Sequence, residues 1–169
     1  TDAYTLTAGG TDFWGASDHG SYIFDNAQSR AAGEDFSVVV RSVSIAGDPA
    51  EALAGEWGRT GPMVRKTPDV ANAANVAHIR KSGSTNTTIL QGRLSDGAGT
   101  DRGPDNNGEH ANAGENNANG DVRNTPIWLS LHRVNDVWYS TWAVDDAGSP
   151  GPWSDLRIRA ASADMAGEG

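Results

Sequence analysis

The sequence predicts an all-β domain of short antiparallel strands. Three observations lead there. Twenty-one glycines and seven prolines supply turns along the 169 residues. Apolar residues recur at short intervals with the period of two expected of half-buried strands. There is little sign of the 3.6-residue apolar period of an amphipathic helix. A chain of this length is one domain, large enough to bury a core.

Taken in order, Tyr4-Thr5-Leu6-Thr7 alternates as a strand, and Ser21-Tyr22-Ile23-Phe24 follows the Gly-rich turn around Asp18. Residues 35–45 form the strongest run. Phe36, Val38 and Val40 point one way, whereas Val39, Val43 and Ile45 point the other; a bulge or burial on both faces accounts for that change of phase. Residues 48–56 predict one helical turn, with Asp48 capping and Pro49 at the first helical position. Residues 62–66 predict a strand. Residues 75–81 and 86–94 predict a hairpin across Ser82-Gly83-Ser84-Thr85.

The apolar pattern then stops. Residues 95–125 are Asp, Asn, Gly, Glu and Ala with scarcely a bulky apolar side chain, too few to offset the entropy of ordering. A loop this long in a compact domain is functional, ligand-tethered or disordered. The last unit is a hairpin over 126–134 and 137–145, turning at Asn135-Asp136. Residues whose numbers sum to 271 then face each other. Ile127, Leu129 and Leu131 share a core face with Ser140, Trp142 and Val144. Trp128, Ser130 and His132 share the other with Ala143, Thr141 and Tyr139.

Four blocks occur in order along most of the chain. They are Gly10-Thr11-Asp12-Phe13-Trp14-Gly15-Ala16-Ser17-Asp18, Gly33-Glu34-Asp35-Phe36 leading into Ser37-Val38-Val39-Val40-Arg41, Thr60-Gly61-Pro62-Met63-Val64-Arg65, and Pro126-Ile127-Trp128-Leu129-Ser130-Leu131-His132-Arg133 followed by Trp138 to Trp142. In this order they resemble the bacterial extracellular branch of the concanavalin A-like lectin/glucanase superfamily, also called laminin-G-like. The resemblance implies an antiparallel two-sheet jelly-roll β-sandwich over residues 1–169. It also implies one strand before Tyr4 and further strands beyond Asp164-Met165-Ala166-Gly167, which this chain lacks. Three alternatives stay open: the chain is a fragment, another chain supplies the strands, or the sheets end in exposed edges. The fold alone does not settle function, because it hosts lectins, hydrolases and spacers alike.

The charge of −9 narrows the partners. An acidic total argues against nucleic acid, which needs clustered Lys and Arg. Bases concentrate in residues 57–95, as Arg59, Arg65, Lys66, Arg80, Lys81 and Arg93. They read as a solvated strand face before they read as partners of acidic neighbours or of an anionic polymer. No stretch is apolar enough to span a membrane, and no signal peptide is visible. The absence of cysteine removes disulfides and thiol chemistry without fixing a compartment.

Glycosidases need two carboxylates flanking one bond. The Glu-x-Asp-x-x-Glu pattern of glucanases in this superfamily is absent, and Glu34-Asp35 and Asp145-Asp146 are adjacent pairs whose side chains diverge on a strand. Ser17-Asp18-His19 sets triad residue types side by side. Triad members normally converge from separated parts of a chain, so this is a polar turn whose Asp18 or Ser17 bonds backbone amides. Catalytic zinc lacks a His-Glu-x-x-His motif.

The Asp/Asn-rich segment imitates a calcium loop. Glu115, Asn117, Asn119 and Asp121 alternate oxygen donors around Gly120, and Asp105, Asn107 and Glu109 do so more weakly around Gly108. Neither has the bidentate Glu at the twelfth position. Ca²⁺ and a plain flexible loop are therefore the two readings. For a glycan, the candidate surface is Trp128, Ser130, His132, Tyr139 and Thr141, since sugar C–H faces pack on aromatics and hydroxyls bond to Ser, Thr and His. The competing reading is ordinary packing beneath a loop or missing strands.

The sequence thus points to a non-catalytic extracellular module of a larger bacterial surface or secreted protein. Its expected partner is a glycan or cell-surface polysaccharide. The alternative is a structural subunit that pairs strands with other copies or neighbouring domains. A glycoside hydrolase comes third.

Overall fold

A computed structural model describes residues 3–7, 9, 13–24, 34–45, 59–67, 69–81, 88–101, 109–110, 125–154 and 157–160. These form ten strands: β1 Phe36–Ser42, β2 Arg59–Thr60, β3 Met63–Arg65, β4 Asn75–Lys81, β5 Thr88–Arg93, β6 Glu109–His110, β7 Ile127–Val134, β8 Val137–Asp146, β9 Ser149–Pro150 and β10 Arg157–Ala160. The chain is all-β, with no helix among the described residues. One antiparallel sheet runs β1-β7-β8-β10, with β9 also on β8; the other runs β2-β4-β5-β6, with β3 also on β4.

The β7–β8 hairpin has the expected register, Ile127 opposite Val144 through Val134 opposite Val137. Its two turn residues, Asn135 (φ 49°) and Asp136 (φ 59°), both adopt the left-handed conformation of a tight hairpin turn. Alternation then sends Ile127, Leu129 and Leu131 inward to full burial. Leu131 and Trp138 pack against Ala74, Val76 and Leu90 of the second sheet, with Phe36, Val64 and Leu94 around them. A buried bond also links the sheets: His78 Nδ1 donates to Ser130 O at 2.8 Å, since a carbonyl only accepts.

β2 and β3 are one edge strand in a single register against β4, Thr60 opposite Arg80 and Met63 opposite Ala77. Between them Pro62 has no N–H to donate, which an edge position tolerates. Gly61 is required there: a Cβ would stand 2.1 Å from His78 O.

The central β4–β5 pair is buried on both faces. Ala77, Ile79 and Ile89 form a second cluster with Met63, on the face turned away from the first sheet. Residues 13–20 bond the second sheet through Gln91 Nε2 to Phe13 O (3.3 Å), Arg93 Nη2 to Gly15 O (2.7 Å) and Asp18 N to Ala71 O (2.8 Å). At their centre the Asp18 carboxylate accepts from Arg93, Arg65 and Asn75.

Several expectations are corrected. Tyr4–Thr7 and Ser21–Phe24 are not strands. Tyr4, Leu6, Ile23 and Phe24 are 71, 48, 56 and 54% exposed, because alternation alone gives a backbone no ladder to join. β1 ends at Ser42 without the expected bulge or double burial: Val39 and Val43 are exposed. The basic stretch is not a solvated face. Arg80 and Arg93 are buried, Arg65 and Arg93 pair with Asp18, and Lys66 pairs with Asp96. Asp18 bonds side chains rather than turn amides. In the polar segment, residues 95–101 turn back onto β5, with Gly97 at φ 72° and Gly92 bridged to Asp101, and β6 pairs with Thr88 and Ile89. The helical turn at 48–56 and the turn at 82–85 lie outside the described residues.

Candidate functional site

The outer face of the first sheet gathers what the sequence separates. β1 contributes Ser37, Val39 and Arg41, all exposed. The ladder sets Ser37 opposite His132, Val39 opposite Ser130 and Arg41 opposite Trp128. On the other side of β7, Tyr139 is opposite His132 and Thr141 opposite Ser130. The five expected binding residues therefore occupy one continuous patch. Trp128, His132, Tyr139 and Thr141 are half-buried, whereas Ser130 is buried at 1% exposure.

Two bonded groups organise this patch. In the first, Ser37 Oγ lies 2.7 Å from His132 Nδ1, and His132 Nε2 lies 2.8 Å from Ser130 Oγ. Ser130 Oγ accepts from Thr141 N at 3.2 Å, lies 3.1 Å from Thr141 O and is 2.7 Å from Thr141 Oγ1. Partial burial pulls the His132 pKa below its usual 6.5. In the second, Arg41 grips Asp145 with Nε to Oδ1 at 2.6 Å and Nη2 to Oδ2 at 2.8 Å. Trp128 Nε1 donates to Asp145 Oδ1 at 2.8 Å, and Gly148 N to Oδ2 at 3.1 Å. The Arg41 guanidinium, helped by these two N–H groups against partial desolvation, lowers the Asp145 pKa to about 2.

Chemically, the patch offers an indole held at a fixed angle, a phenol-bearing ring, hydroxyls and an imidazole. Arg41 and Asp145 compensate each other's charge. Asp145 is committed to Arg41 and Trp128.

Ser37, Arg41 and Asp145 were not among the expected site residues. Their only sequence signal is alternation within their own strands; the β1–β7 register that joins them is set over about ninety residues. Of the calcium candidates, Asp105, Asn107, Glu115, Asn117, Asn119 and Asp121 lie outside the described residues. Glu109 starts β6, opposite Ile89. No cluster of three or more His, Cys, Asp or Glu suited to a metal occurs among the described residues. No described helix is long and apolar enough to cross a membrane.

No family model, curated protein or solved structure matches the chain.

Proposed function

We propose that this chain is an extracellular β-sandwich module, of the jelly-roll kind its sequence blocks resemble, that binds a glycan or cell-surface polysaccharide on the outer face of its first sheet. It belongs to a larger bacterial surface or secreted protein and does not cleave glycosidic bonds. The observation that carries this reading is the clamp on Trp128. Its indole N–H bonds Asp145, which Arg41 holds in turn, on a face shared with Tyr139, His132 and Thr141. An aromatic platform fixed in advance loses less entropy on binding than a free one.

The test is retention on immobilised polysaccharides. The native chain should be held, while Trp128→Ala and Tyr139→Ala should weaken retention with the fold intact. Each removes a stacking surface worth about 0.5–1.5 kcal/mol beyond burial. Equal retention of all three proteins rules out this face. The rival reading, assembly by strand pairing, draws on β1. Among the described residues β1 pairs on one side only, with β7, and it carries the exposed Val39. Concentration-dependent melting of the purified chain would favour that rival.

A further inference from the structure

We propose that Ser37 is an activated nucleophile, with His132 as its base and Ser130 positioning the imidazole, able to take an acyl or phosphonyl group from an ester-type electrophile. This goes beyond glycan binding and does not depend on it.

The geometry is that of a nucleophile, a base and an orienting group in line. Ser37 and His132 are register partners on one face, their Oγ and Nδ1 2.7 Å apart, and Ser37 is exposed to an incoming reagent. The far nitrogen of the ring is held 2.8 Å from a hydroxyl that is itself buried. Proton positions are assigned from the bonding network. Assigning the Ser130 hydrogen to Thr141, whose O and Oγ1 lie 3.1 and 2.7 Å away, makes His132 Nε2 the donor to Ser130. Nδ1 then carries the lone pair, and the Ser37 hydroxyl donates into it. Partial burial favours this neutral imidazole at neutral pH.

The other described ionisable groups on the face have their own neighbours. Arg41 and Asp145 bond each other, Asp35 accepts the amide of Asn135, and Tyr139 is the cross-strand partner of His132. The orienting group here is a hydroxyl where a triad has a carboxylate, so it fixes the ring without stabilising the imidazolium as strongly. Reaction should therefore be slower than in a carboxylate-backed triad. The sequence hid this arrangement because the two residues are 95 positions apart.

With an ester, the Ser37 Oγ–carbonyl carbon bond forms and the carbon–alkoxide bond breaks. The hydroxyl proton passes to His132 Nδ1 and then to the departing alkoxide, leaving acyl-Ser37. With an alkyl fluorophosphonate the Oγ–P bond forms, P–F breaks, fluoride leaves and the proton stays on His132.

The experiment treats the intact chain with an alkyl fluorophosphonate, locates the label by peptide mass spectrometry and follows its rate. Label is expected on Ser37 in preference to the other serines. His132→Ala should slow it by about 100-fold or more, the usual contribution of a general base, and added imidazole should restore part of the rate. Ser130→Ala should slow labelling and Ser130→Thr should recover it, which a merely structural serine would not require. Should His132→Ala fail to fold, His132→Gln takes its place. Absence of label at Ser37, or equal labelling rates in the native and His132 variants, overturns the proposal. Neither outcome decides the glycan reading, which is tested separately by retention of the unlabelled native chain.

Discussion

Asp18 and Arg93, 75 residues apart in sequence, form a buried two-pronged ion pair, Nη2 to Oδ1 at 2.7 Å and Nη1 to Oδ2 at 3.2 Å. Their side chains are 3 and 0% exposed. Arg65 joins the same carboxylate at Oδ2. The pair therefore holds residues 13–20 against β5. Removing the carboxylate leaves two buried guanidinium groups without it, and breaking such a pair costs about 3–5 kcal/mol. Asp18→Ala should lower the denaturation midpoint accordingly, read by urea unfolding at unchanged slope. A loss under about 1 kcal/mol would show that residues 13–20 are not held through this pair.

The two-residue turn sets two effects against each other. Asp136 is in the left-handed region at φ 59°, where glycine relieves about 1 kcal/mol of backbone strain. The same residue gives its carboxylate to Arg133, which is 0% exposed. The carboxylate is half exposed, so the pair is discounted to about 1–2 kcal/mol. Asp136→Gly should therefore be neutral to destabilising, whereas Asn135→Gly should be neutral to stabilising. Thermal melting of both variants checks the order.

These elements show what was legible. The β7–β8 register follows from one two-residue turn and strict alternation, both local, so it could be read in advance. Ile127, Leu129, Leu131 and Ser140 are buried as expected, whereas Trp142 and Val144 are half-buried and Ala143, expected on the other face, is buried. Alternation in β1 also put Phe36 and Val39 on opposite faces, without saying which face meets water. The β1–β7 pairing and the Asp18–Arg93 contact bring together residues about 75–100 positions apart, and no local pattern encodes such partners. Arginines at strand spacing look the same whether a strand faces water or a carboxylate. The polarity of the 57–95 stretch therefore suggested solvent where the fold supplies Asp18. Tyr4–Thr7 failed for a related reason, since a period of two states which faces a strand would have and not whether a neighbour exists.

Asp145 gives a pH prediction. Its folded pKa is about 2 against the usual 3.8, so its contribution to stability is complete above about 3.8 and is lost as pH falls toward 2. His132 acts in a higher window. With a folded pKa below 6.5, it resists protonation that the unfolded chain accepts, so stability declines as pH falls below about 6.5. His132→Gln should flatten the stability–pH curve just below 6.5, and Asp145→Asn should flatten it between 3.8 and about 2. Curves that keep the native slope in these windows would count against both assignments.

In the core, Trp138 fills the space between the sheets, with its ring edge-on to Phe36 at 5.7 Å. Trp138→Ala should cost about 3–5 kcal/mol and Leu131→Ala about 2–5. Val39→Thr, on the exposed outer face, should change stability by less than about 0.5 kcal/mol. Urea midpoints for the three variants distinguish an inward-facing core from one shared by both sides of β1 and β7.

Nuclear magnetic resonance titration tests whether the outer face of the first sheet binds glycan. A glycan that the polysaccharide-retention assay selects is added to isotope-labelled protein while amide and indole signals are followed. The Trp128 indole N–H and the amides of His132, Tyr139 and Thr141 should shift together along one saturating curve, with the buried β4–β5 signals unmoved. Saturable shifts confined to another surface, or no shifts with any polysaccharide fragment, would show that this face is not a glycan site.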